Sequence, residues 1–239
     1  AILADANPDV ATVYRVIRDD VDVLIAALSM HERRYLRCDD AGRAAYFYAL
    51  RERHPCDLAA AGDAMDDVER AARMLFLNRT CFNGLWRENK SGRFNTPHGR
   101  YAQPNIVQAD KLNAAHEALA NVELVHADFR DLPKLVADAD IDFVYLDPPY
   151  HPVSATSAFN AYAQGGFSSR DQRELGEVCR ELDRMGVRFL LSNSDCELVR
   201  DIYKGFELHV VRAPRAVNCR ADRRGDVDEI VVRNGARFR

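Results

Sequence analysis

The sequence predicts an α/β fold built on a largely parallel sheet, with a helical and loop insertion at about residues 31–103. Three observations predict it. Short apolar runs of strand character alternate with stretches of helical spacing at both ends of the chain. Between those ends, two helical stretches lead into residues 78–101, where all periodicity is lost. The 239 residues, 47% hydrophobic and 29% charged, are enough to bury one large core or a domain carrying an insertion.

Taken in order, "AILADANPDV" opens as a short buried strand ending at Asp5, and Asn7-Pro8 breaks it. Apolar residues at 10, 13, 17, 21, 24, 25 and 28 keep helical spacing and predict one helix from Asp9 to about Leu28. Further helices are expected near 39–53 and 63–77, the second with Met65, Val68, Ala72, Leu75 and Phe76 on one side. "NRTCFNGLWRENKSGRFNTPHGRY" (78–101) reads as loop and hairpin. A helix near 106–119 precedes strands at 122–129 and 141–147, and "HPVSATSAFNAYAQGG" reads as a long polar loop. Ser168 and Asp171 have the spacing of a capping box, opening a helix through about Met185. "VRFLLSNSD" is another strand. The tail offers strands near 206–213 and 227–233, separated by "NCRADRRGD".

Composition excludes several function classes. No apolar stretch approaches the roughly 20 residues of a membrane span, and no signal-peptide pattern is seen. The six cysteines form no C-x-x-C pair and the seven histidines follow no metal spacing, so no metal is expected. Scattered thiols fit a reducing cytoplasm. Only four of the 33 basic residues are lysines, a bias that reads as genome composition rather than function.

The net charge of −4 gives no global sign of a polyanion partner. Residues 78–101, however, carry Arg79, Arg87, Lys90, Arg93 and Arg100 against Glu88 alone, a local +4 on a body of −8. A basic island of this kind suits nucleic acid, although a solvated charged face has the same composition.

The stretch "DPPY" (147–150) follows the apolar run "IDFVYL". In an open α/β sheet, ligands bind at the carboxyl ends of strands. Proline fixes its own φ and restricts the residue before it, so this turn is stiff. The Asp147 carboxylate and the Pro148 carbonyl are two rigid acceptors side by side, suited to the two donors of a planar –NH2 group. Tyr150 offers a face for a flat heterocycle. Such a site would hold the exocyclic amine of a nucleobase. Accepting both of its N–H bonds draws the nitrogen towards sp3 geometry and frees its lone pair for methyl transfer. A plain strand-ending turn is the competing reading of these four residues.

Together, "DPPY", "FLNRTCFNGLWRENKSGRFNTPHGRY" (76–101) and "HADF" (126–129) resemble the Dam family of DNA adenine N6-methyltransferases. "ILADANPD", "SATSAFNAY" and "LLSNSD" extend the likeness over nearly the whole chain. The resemblance implies an S-adenosylmethionine-dependent methyltransferase (Rossmann-like) sheet with an inserted target-recognition domain, here 31–103 between catalytic segments 1–30 and 104–239. It implies site-specific methylation of adenine N6 in double-stranded DNA, with GATC as the expected target. By position, Asp147, Pro148, Pro149 and Tyr150 would hold the flipped adenine. Asp5, Asp128 and Phe129, with Asp147, would contact the cofactor. Phe82 and Asn83 would contact DNA around the extruded base, and Leu85, Arg87, Pro97 and Tyr101 would read base edges, Arg87 at a guanine. Each has a plainer competitor. Asp5 caps the following helix, Phe129 is core, and Arg79 packs or pairs within the insertion.

One departure stands out. The glycine loop that the family places after its first strand is absent, since no two of the twelve glycines form G-x-G. The first strand and that loop are expected before Ala1, cleaved or outside this numbering, or supplied by another chain. A catalytically silent DNA-binding relative and an RNA adenine N6-methyltransferase are the alternative functions.

Overall fold

The structure is a computed structural model that describes residues 1–60, 65–89, 91–152, 167–214 and 226–235. "SATSAFNAY" and nearly all of "NCRADRRGD" lie outside the described residues. The chain divides into two compact units, Ala1–Asp128 and Phe129–Arg239.

In the first unit, strand β1 (Ile2–Asp5) pairs in parallel with β2 (Glu123–His126), from Ile2 opposite Glu123 to Asp5 opposite His126. Among the described residues six helices run between them: α1 (Pro8–Asp19), α2 (Val21–Leu36), α3 (Asp40–Glu52), α4 (Pro55–Ala60), α5 (Asp67–Thr80) and α6 (Ala109–Leu119). Helix α1 starts where it does because the Asn7 side chain accepts the amides of Asp9 and Val10, with Pro8 in the first turn. Helices α3 and α5 are capped in the same way by Asp39 and Asp66. Their apolar faces meet in one core, with Leu24, Tyr35, Phe47, Phe76 and Leu77 fully buried.

Two expectations fail here. The helix predicted over 9–28 is two helices, because Asp20 leaves helical geometry at φ −136°, ψ 37°. The step from Ile17 to Val21 keeps the apolar spacing across that break, so periodicity alone runs straight through it. Strand β1 is also less buried than expected, with Leu3 exposed.

The second unit holds a four-stranded sheet in the order β3-β4-β6-β5: β3 (Phe143–Leu146), β4 (Arg188–Ser194), β5 (Glu207–Pro214) and β6 (Asp226–Arg233). Only the β3–β4 pair is parallel; β6 is antiparallel to both β4 and β5. The expectation of a largely parallel sheet therefore gives way to a mixed one. Consecutive strands such as β5 and β6 return antiparallel without needing a crossover helix. Helix α8 (Ser169–Arg184) connects β3 to β4 and opens with the predicted capping box of Ser168 and Asp171. Its stripe of Leu175, Cys179 and Leu182 packs into the core that holds Phe189, Leu191, Ile230 and Val232.

Helices α7 (Leu132–Asp138) and α9 (Glu197–Ile202) were not legible in the sequence. The strand predicted through Phe129 ends at His126, and residues Phe129–Asp131 form a 3-10 turn.

Candidate active site and nucleic-acid surface

The turn after β3 is the candidate reactive centre. Leu146, the last strand residue, is buried opposite Leu191 of β4, so the next residue on each strand, Asp147 and Ser192, lie side by side. There the Ser192 hydroxyl donates to Asp147 Oδ1 at 2.8 Å. The Tyr145 hydroxyl stands 3.4 Å from the same serine oxygen. Asp147, Pro149 and Tyr150 are exposed and Pro148 is half-buried. The carboxylate is thus oriented by one oxygen while the group remains open to a ligand.

Beneath the turn lies an amide relay that the sequence reading missed. Gln172 Nε2 donates to the Pro149 carbonyl at 2.9 Å, and its Oε1 accepts from Asn193 Nδ2 at 3.0 Å. Asn193 Oδ1 in turn accepts the His151 amide at 3.0 Å and the Ser194 amide at 2.8 Å. Both side chains are completely buried. Buried amides persist where their hydrogen bonds are made, and these are spent on both sides of Tyr150. Pro148, by contrast, has no donor on its carbonyl among the described residues, as an acceptor for an incoming amine requires. A signal existed: Gln172 sits on the stripe of Leu175, Cys179 and Leu182, a polar residue on a helix's apolar face.

Tyr150 donates to Glu229 Oε2 at 3.3 Å. Burial, reinforced by the Glu229 and Asp147 carboxylates, pushes its phenol above the ordinary pKa, so it stays protonated. Burial also holds the neighbouring His151 below the usual imidazole value.

Phe129, predicted beside the cofactor, is half-buried rather than fully core. Its ring meets Phe167 edge-on at 5.2 Å, and the Arg130 guanidinium lies 4.3 Å over it. Arg130 is itself held by Asp171 and Glu174 of α8.

In the first unit, Asp5 and Asp128 both follow from the carboxyl ends of paired parallel strands, and the Ala127 amide bonds the Asp5 carbonyl at 3.2 Å. Asp5 does not cap α1; Asn7 does, and Asp5 Oδ1 accepts the Asn7 amide at 2.7 Å. Both acids are half-buried. Carboxylates at strand ends are acceptors of the kind that ribose hydroxyls and an adenine amine need, so these residues fit a nucleoside cofactor.

The six residues predicted to meet DNA come together on one hairpin. Isolated bridges join Cys81 to His98 and Glu88 to Phe94, and the Asn95 amide donates to the Arg87 carbonyl. Phe82, Asn83, Leu85, Arg87, Pro97 and Tyr101 are all exposed. Asn83 takes φ 55° and Gly84 φ 62°, so the chain makes a left-handed turn directly after the exposed Phe82, at the end of the hairpin away from its 89–93 loop. Two contacts lock this turn: the Phe82 amide donates to the Pro97 carbonyl at 2.8 Å, and the Asn83 amide to the Tyr101 hydroxyl at 2.9 Å. Arg87 Nε donates to Asn95 Oδ1 at 2.7 Å, leaving the guanidinium end at the surface. Arg79 contradicts the expectation of packing, being exposed and without an ion pair among the described residues, as is Arg100. Arg93 instead pairs with Asp57.

Among the described residues no group of three His, Cys, Asp or Glu could hold a metal ion, and no helix is long and apolar enough to cross a membrane.

The chain is similar to known proteins over nearly its whole length. A family model described as D12 class N6 adenine-specific DNA methyltransferase matches residues 1–217. A Type II methyltransferase, M.MjaIII of Methanocaldococcus jannaschii, is 38% identical over 98% of this chain and 79% of its own length. M1.LlaDCHI of Lactococcus lactis subsp. cremoris, also a Type II methyltransferase, is 37% identical over the same shares. The DNA adenine methylase of Escherichia coli K12 is 33% identical over 97% of this chain and 78% of its own length.

Proposed function

Because the chain belongs to the D12 class of N6 adenine-specific DNA methyltransferases, we propose that Asp147 and Pro148 hold the N6 amine of an extruded adenine while it is methylated. The observation that carries this reading is the Asp147 carboxylate, fixed through Oδ1 by Ser192 beside the open Pro148 carbonyl on a turn splinted from below. Two acceptors held this way stabilise the amine as its lone pair leaves conjugation with the ring, a change made mainly in the transition state. Pro149 supplies the splinted carbonyl, and Tyr150 the exposed ring on which the base stacks. The cationic product amine loses its proton without a dedicated base.

S-adenosylmethionine, when bound, supplies an electrophilic methyl group. Asp5, Asp128, Phe129 and Asp147 are the residues proposed to contact it. The target adenine must leave the duplex for its amine to become accessible. Phe82 is the proposed wedge, supported by its exposure at a turn braced by Pro97 and Tyr101. Asn83 accompanies it at the gap. Leu85, Arg87, Pro97 and Tyr101 are proposed to read the major groove of double-stranded DNA, with Arg87 at a guanine. Residues 31–103 then form the recognition segment, with 1–30 and 104–239 the catalytic segments. GATC is the proposed target and the cytoplasm the proposed location. Arg79 and Arg100, exposed and without an ion pair among the described residues, support contact with phosphates beside the hairpin.

The test is Asp147→Ala. Methyl transfer to duplex DNA in the presence of S-adenosylmethionine is expected to be lost while duplex affinity stays within a few-fold of the parent. Transfer at a comparable rate in that variant would overturn the mechanism.

A further inference from the structure

Glu88 is the single acid among the five bases of residues 78–101, and its side chain is half-buried. An acid on a surface that meets phosphates repels them, so its presence calls for a use elsewhere. Glu88 Oε1 accepts two hydrogen bonds: one from the Trp86 indole N–H at 2.8 Å, and one from Asn7 Nδ2 at 3.1 Å, 81 residues away. Asn7 has no freedom to turn its amide over. Its Oδ1 caps α1 through the Asp9 and Val10 amides, which leaves Nδ2 facing Glu88. The Asn7 backbone amide bonds Asp5, and its carbonyl accepts from Ala11. The corner joining β1 to α1 is therefore rigid where the hairpin touches it.

Successive side chains of an extended strand point to opposite faces. Trp86 and Glu88 share one face, and the Trp86 ring lies 4.4 Å from that of Phe94, which is buried. Leu85 and Arg87 share the other face and are exposed. Holding the inner face thus sets where the outer face stands.

We propose that Glu88 is a positioning residue for sequence discrimination: its carboxylate fastens the hairpin to Asn7 and so fixes the placement of the Arg87 guanidinium. This rests on the reading of the hairpin as the DNA-contacting surface. A neutral amide oxygen accepts the same two bonds, so the acceptor is the essential feature and the negative charge is not.

Trp86 is the only tryptophan of the chain, so its emission reports on this contact alone. The experiment compares the full chain with Glu88→Ala, Glu88→Gln, Asn7→Ser and Arg87→Ala. Each is given the preferred duplex site and its single-pair variants, and the ratio of methyl-transfer rates is measured. Glu88→Ala is expected to lose about tenfold in discrimination at the pair read by Arg87, with a shifted Trp86 emission, and Glu88→Gln to keep both near the parent values. Asn7→Ser retains a good cap for α1 but loses the donor, and relaxes discrimination even if Glu88→Ala fails to fold. Unchanged discrimination in both Glu88→Ala and Asn7→Ser overturns the proposal, as does a Glu88→Gln variant as relaxed as Glu88→Ala. Arg87→Ala separates the two readings: if it leaves discrimination unchanged, the hairpin assignment itself has failed.

Discussion

Replacing Gln172 by Met isolates the splint under the reactive turn. Methionine keeps nearly the same volume, so no cavity is opened, and it removes both polar atoms at once. Two hydrogen bonds are lost, to the Pro149 carbonyl at 2.9 Å and from Asn193 Nδ2 at 3.0 Å. The partners are not equal. Pro149 is exposed and water replaces the lost donor, for a net cost of about 1 kcal/mol. Asn193 is fully buried, and its stranded N–H costs about 1–3 kcal/mol. The sum, roughly 2–4 kcal/mol, is a large part of ordinary domain stability. With a urea m-value near the upper end of about 1–3 kcal/mol/M, the unfolding midpoint should fall by about 1 M. Far-UV circular dichroism follows this, since Trp86 lies in the other unit. A second readout separates stability from function: single-turnover methyl transfer per folded molecule, well below the midpoint, should drop about tenfold as the Asp147 turn loosens. A midpoint within about 0.2 M of the parent, or a full transfer rate per folded molecule, would refute the argument.

Two further outcomes follow from the same geometry. Ser192→Ala removes the donor that orients Asp147, and a bond to a charged group of this kind is worth about 1.5–3 kcal/mol where it is made; with Asp147 exposed, we expect the low end, about a tenfold loss of turnover at unchanged duplex affinity, read by steady-state kinetics. Burial depresses His31, and depresses His98 with added repulsion from Arg100 and Arg43. A folded-state pKa below the unfolded value near 6.5 means that the unfolded chain binds protons first, so stability is full above that value and is lost as the pH falls below it. Thermal midpoints should therefore drop between about pH 7.5 and about pH 5.5, and His31→Phe should flatten that slope. An equally steep slope in that variant would remove His31 from the account.

Much of the candidate site was legible because its signals are local. The capping box of Ser168 and Asp171 needs only three residues of spacing, and α8 begins where it says. The turn at 147–150 is stiff by the covalent geometry of proline, wherever the chain carries it. The glycines and the long aperiodic run of 78–101 pointed to a hairpin, and all six of the residues expected to meet DNA are exposed there. What failed was equally particular. Asp20 interrupts a helix without disturbing its apolar spacing, and β6 enters its sheet antiparallel, which no strand pattern announces.

The sequence by itself determined the chemistry on offer: which side chains are acceptors, which turn is rigid, and where positive charge gathers. Tertiary structure decided which of them meet. Ser192 finds Asp147 across 45 residues because β3 and β4 pair in one register, and a shift of one residue would turn that hydroxyl to the opposite face. Gln172 reaches Pro149 across 23 residues because the first turn of α8 lies under the end of β3. Glu88 reaches Asn7 across 81 because five helices fold back between strand and hairpin. A hydrogen bond is short-ranged and directional, so its existence depends on positions to within a fraction of an ångström. Residue type supplies the donor and the acceptor; the packing of the whole unit supplies the distance.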